Sequence, residues 1–187
     1  TQLVLDSSTI ARNSSMYIGG IYASNTDVNA FNSTISTNTA NSGYGAAAYL
    51  YASQAKTATF TNVTVAGNQA VSGPGGGIYV SGSNVTTTLA NSIVAGNTSS
   101  LGADDVSGTF AAASGSSLIG AIDGSTGLTD PTILAGTRAA PLDAGLMPLA
   151  NYAATTETYA LEVDSLALNS GDNLAAASLA FDQRGVA

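Results

Sequence analysis

Apolar and polar residues follow a nine-residue pattern that occurs four times in the first half of the chain, at residues 5–13, 30–38, 60–68 and 89–97. The first and sixth positions of each copy are apolar, and most positions between them are polar. The ninth position is always Asn, which recurs after 25, 30 and 29 residues. The three sets are Leu5, Ala30, Phe60 and Leu89; Ile10, Ile35, Val65 and Val94; and Asn13, Asn38, Asn68 and Asn97.

A second block follows each of the first three copies, at residues 19–23, 47–51 and 76–80. Glycine in this block fits a tight turn with positive φ or a close approach of two backbone segments. The alanine-containing copy departs from this pattern, so we expect its coil to bend there without a positive φ. Aligning the three blocks gives two equivalent positions. The first is a small residue in each block, and the next is a large one: Gly20, Ala48 and Gly77, then Ile21, Tyr49 and Ile78.

The repeats predict an all-β fold, a parallel β-helix with coils of about 25–30 residues. Ser, Thr, Asn and Gly are poor helix formers, whereas the β-branched residues of the apolar columns favour strands. Two or three short strands in each coil would stack on their equivalents about 4.8 Å above and below. No coil can bury its apolar face alone, so the stacked coils together provide the core.

The Asn column is expected at a corner of each coil. Asn tolerates the left-handed conformation and forms hydrogen bonds with nearby backbone. Stacked Asn amides can also bond to one another along the ladder. We therefore predict a structural ladder of Asn13, Asn38, Asn68 and Asn97.

The repeat fades after Asn97, and residues 101–122 keep only short strand signals. From about Leu128 the chain contains Pro131, Pro141 and Pro148, which are unfavourable in central strands. The predicted organisation is therefore β-helix coils over residues 1–127 and a non-repeating capping segment over residues 128–187. Such a segment would cover the unpaired strands at the end of the solenoid.

Composition excludes several classes of function. Charged residues make up 9% of the chain, the net charge is −8, and His, Cys and Trp are absent. Four basic residues are too few for a nucleic-acid-binding surface. Without His or Cys there is no histidine base, cysteine nucleophile or ordinary zinc site. No apolar run approaches the ~20 residues that span a bilayer.

Several short motifs occur in order along the chain: Asn-Ser-Thr-Ile-Ser-Thr-Asn (32–38), Gly-Gly-Gly-Ile-Tyr-Val (75–80), Asn-Ser-Ile-Val-Ala-Gly-Asn-Thr (91–98) and Asp-Gln-Arg-Gly (182–185). With them the chain resembles the C-terminal part of bacterial extracellular right-handed parallel β-helix proteins, the choice-of-anchor or polymorphic-outer-membrane-protein-like repeat family. The resemblance implies a right-handed helix and a secreted or cell-surface location. It implies no single activity, because such folds host adhesins, lyases and fibres alike.

The best cluster for chemistry is Asp104 and Asp105, with Asp123 and Asp130 downstream. Glycan-cleaving β-helices use clustered carboxylates, often with Ca²⁺, so these residues are candidate catalytic or metal-binding groups. The competing interpretation is that they are solvated turn residues, or that one bonds the backbone at a bend. We favour this non-catalytic interpretation in either form and predict no catalytic residue and no cofactor, with Ca²⁺ at Asp104 and Asp105 as the alternative.

Six tyrosines lie in the first three coils. We favour the interpretation that some of them sit in the core and others cover it, and the alternative is that exposed members stack on sugars or a partner protein. The six are Tyr17, Tyr22, Tyr44, Tyr49, Tyr51 and Tyr79. The function expected from the whole sequence is structural and adhesive, in a stiff surface spacer or a self-assembling filament subunit. Its partners would be other copies of itself, upstream coils of a longer chain, or surface glycans. The alternative is a carbohydrate-binding or polysaccharide-cleaving β-helix.

Overall fold

The chain folds as a parallel β-solenoid of about four turns, which confirms the predicted fold class. The computed structural model describes residues 1–177 and 179–186, so Ser178 and Ala187 of the predicted capping segment lie outside the described residues. Twenty strands and no helix occur in these ranges. Accordingly, no helix in the described part of the chain is long and apolar enough to cross a membrane.

Each regular coil contributes four short strands. The first coil holds β1 (Gln2–Asp6), β2 (Thr9–Ala11), β3 (Ser14–Ser15) and β4 (Ile21–Ser24). The second holds β5 (Asp27–Phe31), β6 (Thr34–Ser36), β7 (Thr39–Ala40) and β8 (Ala48–Tyr51). The third holds β9 (Lys56–Thr61), β10 (Thr64–Ala66), β11 (Gln69–Ala70) and β12 (Ile78–Ser81).

The remaining strands form a less regular end. The fourth coil holds β13 (Val85–Ala90), β14 (Ile93–Ala95), β15 (Thr98–Ser99), β16 (Gly102–Ala103) and β17 (Val106–Thr109). A last partial coil holds β18 (Leu118–Ile119), β19 (Gly124–Thr126) and β20 (Leu134–Ala135).

Equivalent strands of successive coils form four sheets. Their orders are β1-β5-β9-β13 in sheet 1, β2-β6-β10-β14-β18-β20 in sheet 2, β3-β7-β11-β15-β16 in sheet 3, and β4-β8-β12-β17-β19 in sheet 4. The pairs are parallel except β15 with β16, which is antiparallel. The observed coil has four strands instead of the predicted two or three, because tight corners interrupt the backbone between sheets.

The strand registers confirm two predicted columns. Leu5 pairs with Ala30, Ala30 with Phe60 and Phe60 with Leu89 in sheet 1. Ile10, Ile35, Val65 and Val94 likewise stand in one row of sheet 2. Both rows point inward, and their members in the second to fourth coils are fully buried.

The third predicted alignment is wrong by one residue in the second coil. Ala48 pairs with Ile21 and Ile78, so it does not stand in line with Gly20 and Gly77. The next residue of each strand points to the outer face of sheet 4, and these residues form the row Tyr22, Tyr49 and Tyr79. Ala48 is buried at the position where the neighbouring coils carry Ile.

At Gly20 and Gly77 the backbone lies very close to the backbone of the next coil. Neither residue has a positive φ. A Cβ on Gly20 would lie 2.3 Å from the carbonyl oxygen of Ala47, and one on Gly77 would lie 2.1 Å from that of Asp105. Since backbone atoms cannot yield to such contacts, these positions require glycine.

The left-handed corner residue precedes each ladder Asn and is not the Asn itself. Positive φ angles occur at Arg12 (59°), Thr37 (53°), Gly67 (67°) and Gly96 (70°). The preceding residue therefore makes the turn, and the Asn is free to point its amide inward. Here the prediction of a corner is correct, but the expected residue is wrong.

The solenoid continues past the predicted boundary at residue 127. Strand β20 adds to sheet 2 beside β18, and Leu128 and Ile133 pack against the main core. The last irregular coil, expected within residues 101–122, therefore extends to about Ala135.

The C-terminal strap, residues 142–177 and 179–186, lies lengthwise along the outer face of sheet 2. It starts beside Gly120, reaches Arg12 of the first coil through Glu157, and returns to Asn91 through Asp172. It then reaches the first coil again through Gln183. The expected cap over the solenoid end is thus mainly a lateral cover, which leaves β6 buried on both faces.

Replacing Phe60 by Ala is expected to lower the free energy of unfolding by about 3–5 kcal/mol, because it leaves a cavity in the stacked core. Phe60 has no exposed surface. Urea unfolding followed by far-UV circular dichroism measures the change, and Thr86→Ala on the exposed face of sheet 1 is the matched control. Equal stability of the two variants would contradict a core built from this column.

Candidate functional site

The four ladder asparagines form a continuous hydrogen-bonded row, as predicted. The Nδ2 of Asn13 donates to Oδ1 of Asn38 at 2.9 Å, Asn38 donates to Asn68 at 2.9 Å, and Asn68 donates to Asn97 at 2.8 Å. The backbone N–H of each donor Asn bonds the same Oδ1 at 3.0 to 3.1 Å. The Oδ1 atoms of Asn38, Asn68 and Asn97 thus each accept two hydrogen bonds from the coil before them.

The second Nδ2 hydrogen ties the row to the backbone. Asn38, Asn68 and Asn97 donate to the carbonyl oxygens of Ile10, Ile35 and Val65, respectively, at 2.9 to 3.0 Å. These three Asn side chains are at most 1% exposed. A buried amide is stable only when its donors and acceptors are satisfied, and this arrangement satisfies them coil by coil.

Asp105 ends the row. Its Oδ1 accepts the backbone N–H and the Nδ2 of Asn97, both at 2.8 Å. It therefore stands where a fifth Asn would be, although it is only 8 residues away in sequence. An ionised carboxylate accepts hydrogen bonds and donates none, so it can terminate the ladder but cannot pass it on.

Asp104 does not take part in the Asn ladder. Its Oδ2 accepts the backbone N–H of Gly75 at 2.7 Å, and its Oδ1 lies 3.6 Å from Nη2 of Arg138. Asp104 is 1% exposed and Asp105 is fully buried. The interpretation that they are solvated turn residues is therefore wrong, and the interpretation that one bonds backbone at a bend describes both.

The downstream carboxylates have local partners. Asp123 accepts the backbone N–H of Arg138, and Asp130 accepts the backbone and hydroxyl of Thr132. No group of three or more acidic side chains with metal-binding geometry occurs in residues 1–177 and 179–186. Among the described residues, the fold therefore brings no third acidic side chain to Asp104 and Asp105, where Ca²⁺ is the alternative prediction.

Burial raises the pKa of Asp105 to about 6. The hydrogen bonds from Asn97 oppose this effect, whereas the nearby Asp104 carboxylate adds to it. Its Oδ2 has no hydrogen-bond partner with good geometry among the described residues. The ladder terminus is therefore a carboxyl group whose pKa lies about two units above that of an ordinary Asp.

Asp105 also lines a cleft of about 510 Å³ between sheet 2 and the C-terminal strap. Small residues of two coil corners, among them Gly67 and Gly96, form one wall, and Leu142, Leu146 and Tyr159 of the strap form the other. The hydroxyl of Tyr159 bonds Ser36 at 2.5 Å, which fixes this part of the strap to the solenoid. The strap thereby holds the cleft next to the ladder terminus.

The six tyrosines of the first three coils are exposed or half-buried, so the expectation that some of them sit in the core is wrong. The half-buried Tyr49 and Tyr79 cover the outer side of sheet 4. Tyr22, Tyr49 and Tyr79 stand in register on sheet 4, with ring centroids 5.7 Å and 5.4 Å apart. Tyr44 contacts the last two rings from a loop. The alternation along β8, with Leu50 inward and Tyr49 outward, is the sequence signal that identifies this face.

Replacing Asn68 by Ala is expected to lower the free energy of unfolding by at least about 3 kcal/mol, because buried donors of Asn38 lose their acceptor. Thermal and urea unfolding measure this change. Asn173→Ala is the control, since Asn173 is exposed and its side chain has no hydrogen bond within the described chain. A loss no greater than in the control would show that the ladder is not needed for stability.

The raised pKa of Asp105 predicts a loss of stability as pH rises through about 6. The folded state binds this proton more tightly than the unfolded state, so the contribution is complete below about pH 4 and is lost above the folded pKa. The free energy of unfolding should fall by about 1.4 kcal/mol between pH 5 and 7.5, which is about half of the total change of about 3 kcal/mol that begins near pH 4.

Asp105→Asn keeps an acceptor for Asn97 and should abolish this pH dependence, whereas Asp164→Asn, at an exposed position, should retain it. Unfolding in urea at a series of pH values separates the two. A wild-type slope that persists in the Asp105 variant would assign the titration to another group. Below pH 4 the lowered pKa values of Asp27, Asp130, Glu157 and Asp182 act in the opposite direction.

A comparison of the chain with protein-family models, curated proteins and solved structures found no match. The resemblance to extracellular β-helix proteins therefore remains a prediction from the motifs. The solenoid itself is established by the strand pairing.

Proposed function

We propose that the chain is a structural β-solenoid module whose first coil accepts a further coil of the same kind. The observation that carries this proposal is the difference between the two ends of the solenoid. Both ends carry strands that pair on one side only. The first coil presents four strands in the regular coil pattern together with an Asn acceptor, whereas the last coil presents the short strands β19 and β20, irregular chain and an acceptor-only Asp.

The N-terminal end is open. Strands β1, β2, β3 and β4 each pair on one side only in the described structure. Leu3, Leu5 and Ile10 pack against the core but remain partly exposed. Their equivalents in the second coil, Val28, Ala30 and Ile35, are 2%, 0% and 0% exposed. A preceding coil would bury the inward residues of the first coil in the same way that the first coil buries those of the second.

The polarity of the Asn ladder specifies the orientation of such a coil. Asn13, Asn38 and Asn68 each donate to the Asn of the next coil toward the C-terminus. The Oδ1 of Asn13 accepts no hydrogen bond from the described residues. It is complementary to a coil that lies in the same strand direction and offers an N–H and an amide from its own Asn.

The opposite end offers no such donors. Asp105 terminates the ladder, and Leu128, Ile133 and β20 cover the last layer. A second copy of this chain therefore lacks a complementary surface for head-to-tail stacking. These features favour a coil continuous with a longer solenoid over a filament of identical chains, so we propose a spacer role in preference to self-assembly.

Stacked backbone hydrogen bonds in four sheets give such a spacer its stiffness. Few charges and small polar side chains suit its sides to contact with other surfaces. A secreted or cell-surface location accords with this role and stays a prediction. The alternative of glycan cleavage depends on Asp104 and Asp105. These carboxylates accept hydrogen bonds from Gly75 and Asn97, respectively, so we propose a non-enzymatic role.

Adding one coil tests this proposal. A copy of residues 27–55 placed before Thr1 reproduces the spacing of 30 residues between Asn38 and Asn68, now between the added Asn and Asn13. We expect hydrogen exchange of the amides in β1 and β2 to slow by at least about tenfold, because their open edge becomes paired. The midpoint of urea unfolding should rise as well.

The matched control carries the same added segment with Asn38→Leu in the copy, which removes the side-chain Nδ2 donor for Asn13 and leaves the backbone N–H in place. It should protect the first coil less than the intact copy. Unchanged exchange in β1 and β2 with the intact added coil would refute the proposal that the first coil is a stacking surface.

A further inference from the structure

Sheet 4 carries a row of aromatic rings along the solenoid axis. Tyr22, Tyr49 and Tyr79 project from equivalent positions of three successive coils, and the rings of Tyr49 and Tyr79 stack with an interplanar angle of 14°. Together with Tyr17 and Tyr44 they form what we term the tyrosine face. Cross-strand aromatic pairs stabilise a sheet, but that role does not require the high exposure of Tyr17 (66%) and Tyr22 (59%).

A cleft of about 380 Å³ opens between these rings. Tyr17, Tyr22, Tyr44 and Tyr49 provide its aromatic walls, and Ile18 and Gly43 complete the lining. A Cβ on Gly43 would lie 1.8 Å from the carbonyl oxygen of Tyr17, so the close packing of two loops shapes the cleft. The cleft is therefore built by the fold of two neighbouring coils.

The chemistry of the cleft favours an uncharged, amphipathic ligand. Its six lining residues include no Asp, Glu, Lys or Arg. The tyrosine hydroxyls of the face form no hydrogen bonds with other described side chains or backbone, so they can bond a ligand. The net charge of −8 disfavours an acidic polymer.

The shape of the face favours a linear polymer over a folded protein. A stable protein interface uses about 20–30 residues on each side, and the cleft is formed by six. The rings repeat at the spacing of one coil, with centroids 5.4 to 5.7 Å apart along the row. A chain of sugar rings presents apolar C–H faces at a similar repeat, with hydroxyl groups at its edges.

We propose that the tyrosine face binds an uncharged polysaccharide, with pyranose rings packed on the tyrosine rings and sugar hydroxyls bonded to the phenols. The polymer lies along the solenoid axis, with its tightest contact in the cleft between Tyr22 and Tyr44. Tyr17, Ile18 and Tyr22 belong to the first coil, so a preceding coil would lie beside the cleft and extend the row. Binding by the chain itself does not depend on the coil-stacking proposal, because the cleft is formed by the first and second coils alone. It gives the spacer a means of adhesion.

Isothermal titration calorimetry with neutral hexasaccharides tests the site. The probes are cellohexaose, chitohexaose, maltohexaose and mannohexaose, with hexagalacturonate as the acidic comparison. We expect at least one neutral hexasaccharide to bind the unmodified chain. Tyr22→Ala and Tyr44→Ala should each weaken binding about three- to tenfold, since each removes one stacking ring.

Tyr44→Phe retains the ring and should bind within about threefold of wild type. Tyr152→Ala alters a tyrosine outside the face and should leave binding unchanged. Both alanine substitutions on the face remove exposed side chains, and far-UV circular dichroism verifies their fold. The proposal is overturned if no neutral hexasaccharide binds at about 1 mM, if both alanine variants bind normally, or if hexagalacturonate binds more tightly.

Discussion

The structure depends on coil-to-coil registration, in which each residue lies directly above its equivalent in the next coil. The buried Asn row enforces this registration most strictly, since the Oδ1 atoms of Asn38, Asn68 and Asn97 each receive two donors from the preceding coil. A shift of one residue would expose the apolar columns and leave buried amides without partners. The backbone pairs of sheet 2 and the inward row through Ile35 and Val65 then follow from the same alignment.

The direction of these hydrogen bonds makes the two ends chemically different. Asp105 closes one end because a carboxylate can accept from Asn97 without requiring a further coil. Asn13 leaves an acceptor at the other end. The polar ladder thus gives the solenoid a direction in addition to stability, which an apolar core alone could not provide. Burial at this end of the ladder disfavours the ionised form of Asp105 and raises its pKa.

The outer faces of the solenoid serve different purposes. Sheet 2 is covered by the C-terminal strap, whose polar contacts with Thr34 and Ser36 satisfy hydroxyl groups that the cover removes from water. Sheet 4 remains open and carries the tyrosine face. A rigid scaffold with one covered and one exposed face can present a binding surface without moving, and the residues on that surface, not the fold, determine what is bound.

By itself, the sequence determined the coil period, the inward columns and the Asn ladder, because each repeated residue meets its own equivalent and the contact is therefore periodic. Tertiary structure alone decided the partner of Ala48, the role of Asp105 and the course of the strap. The loop before β8 shifts the register, Asp105 reaches the ladder through a reversal of only 8 residues, and Arg12 meets Glu157 across 145 residues. Such contacts occur once, so no repeat in the sequence records them.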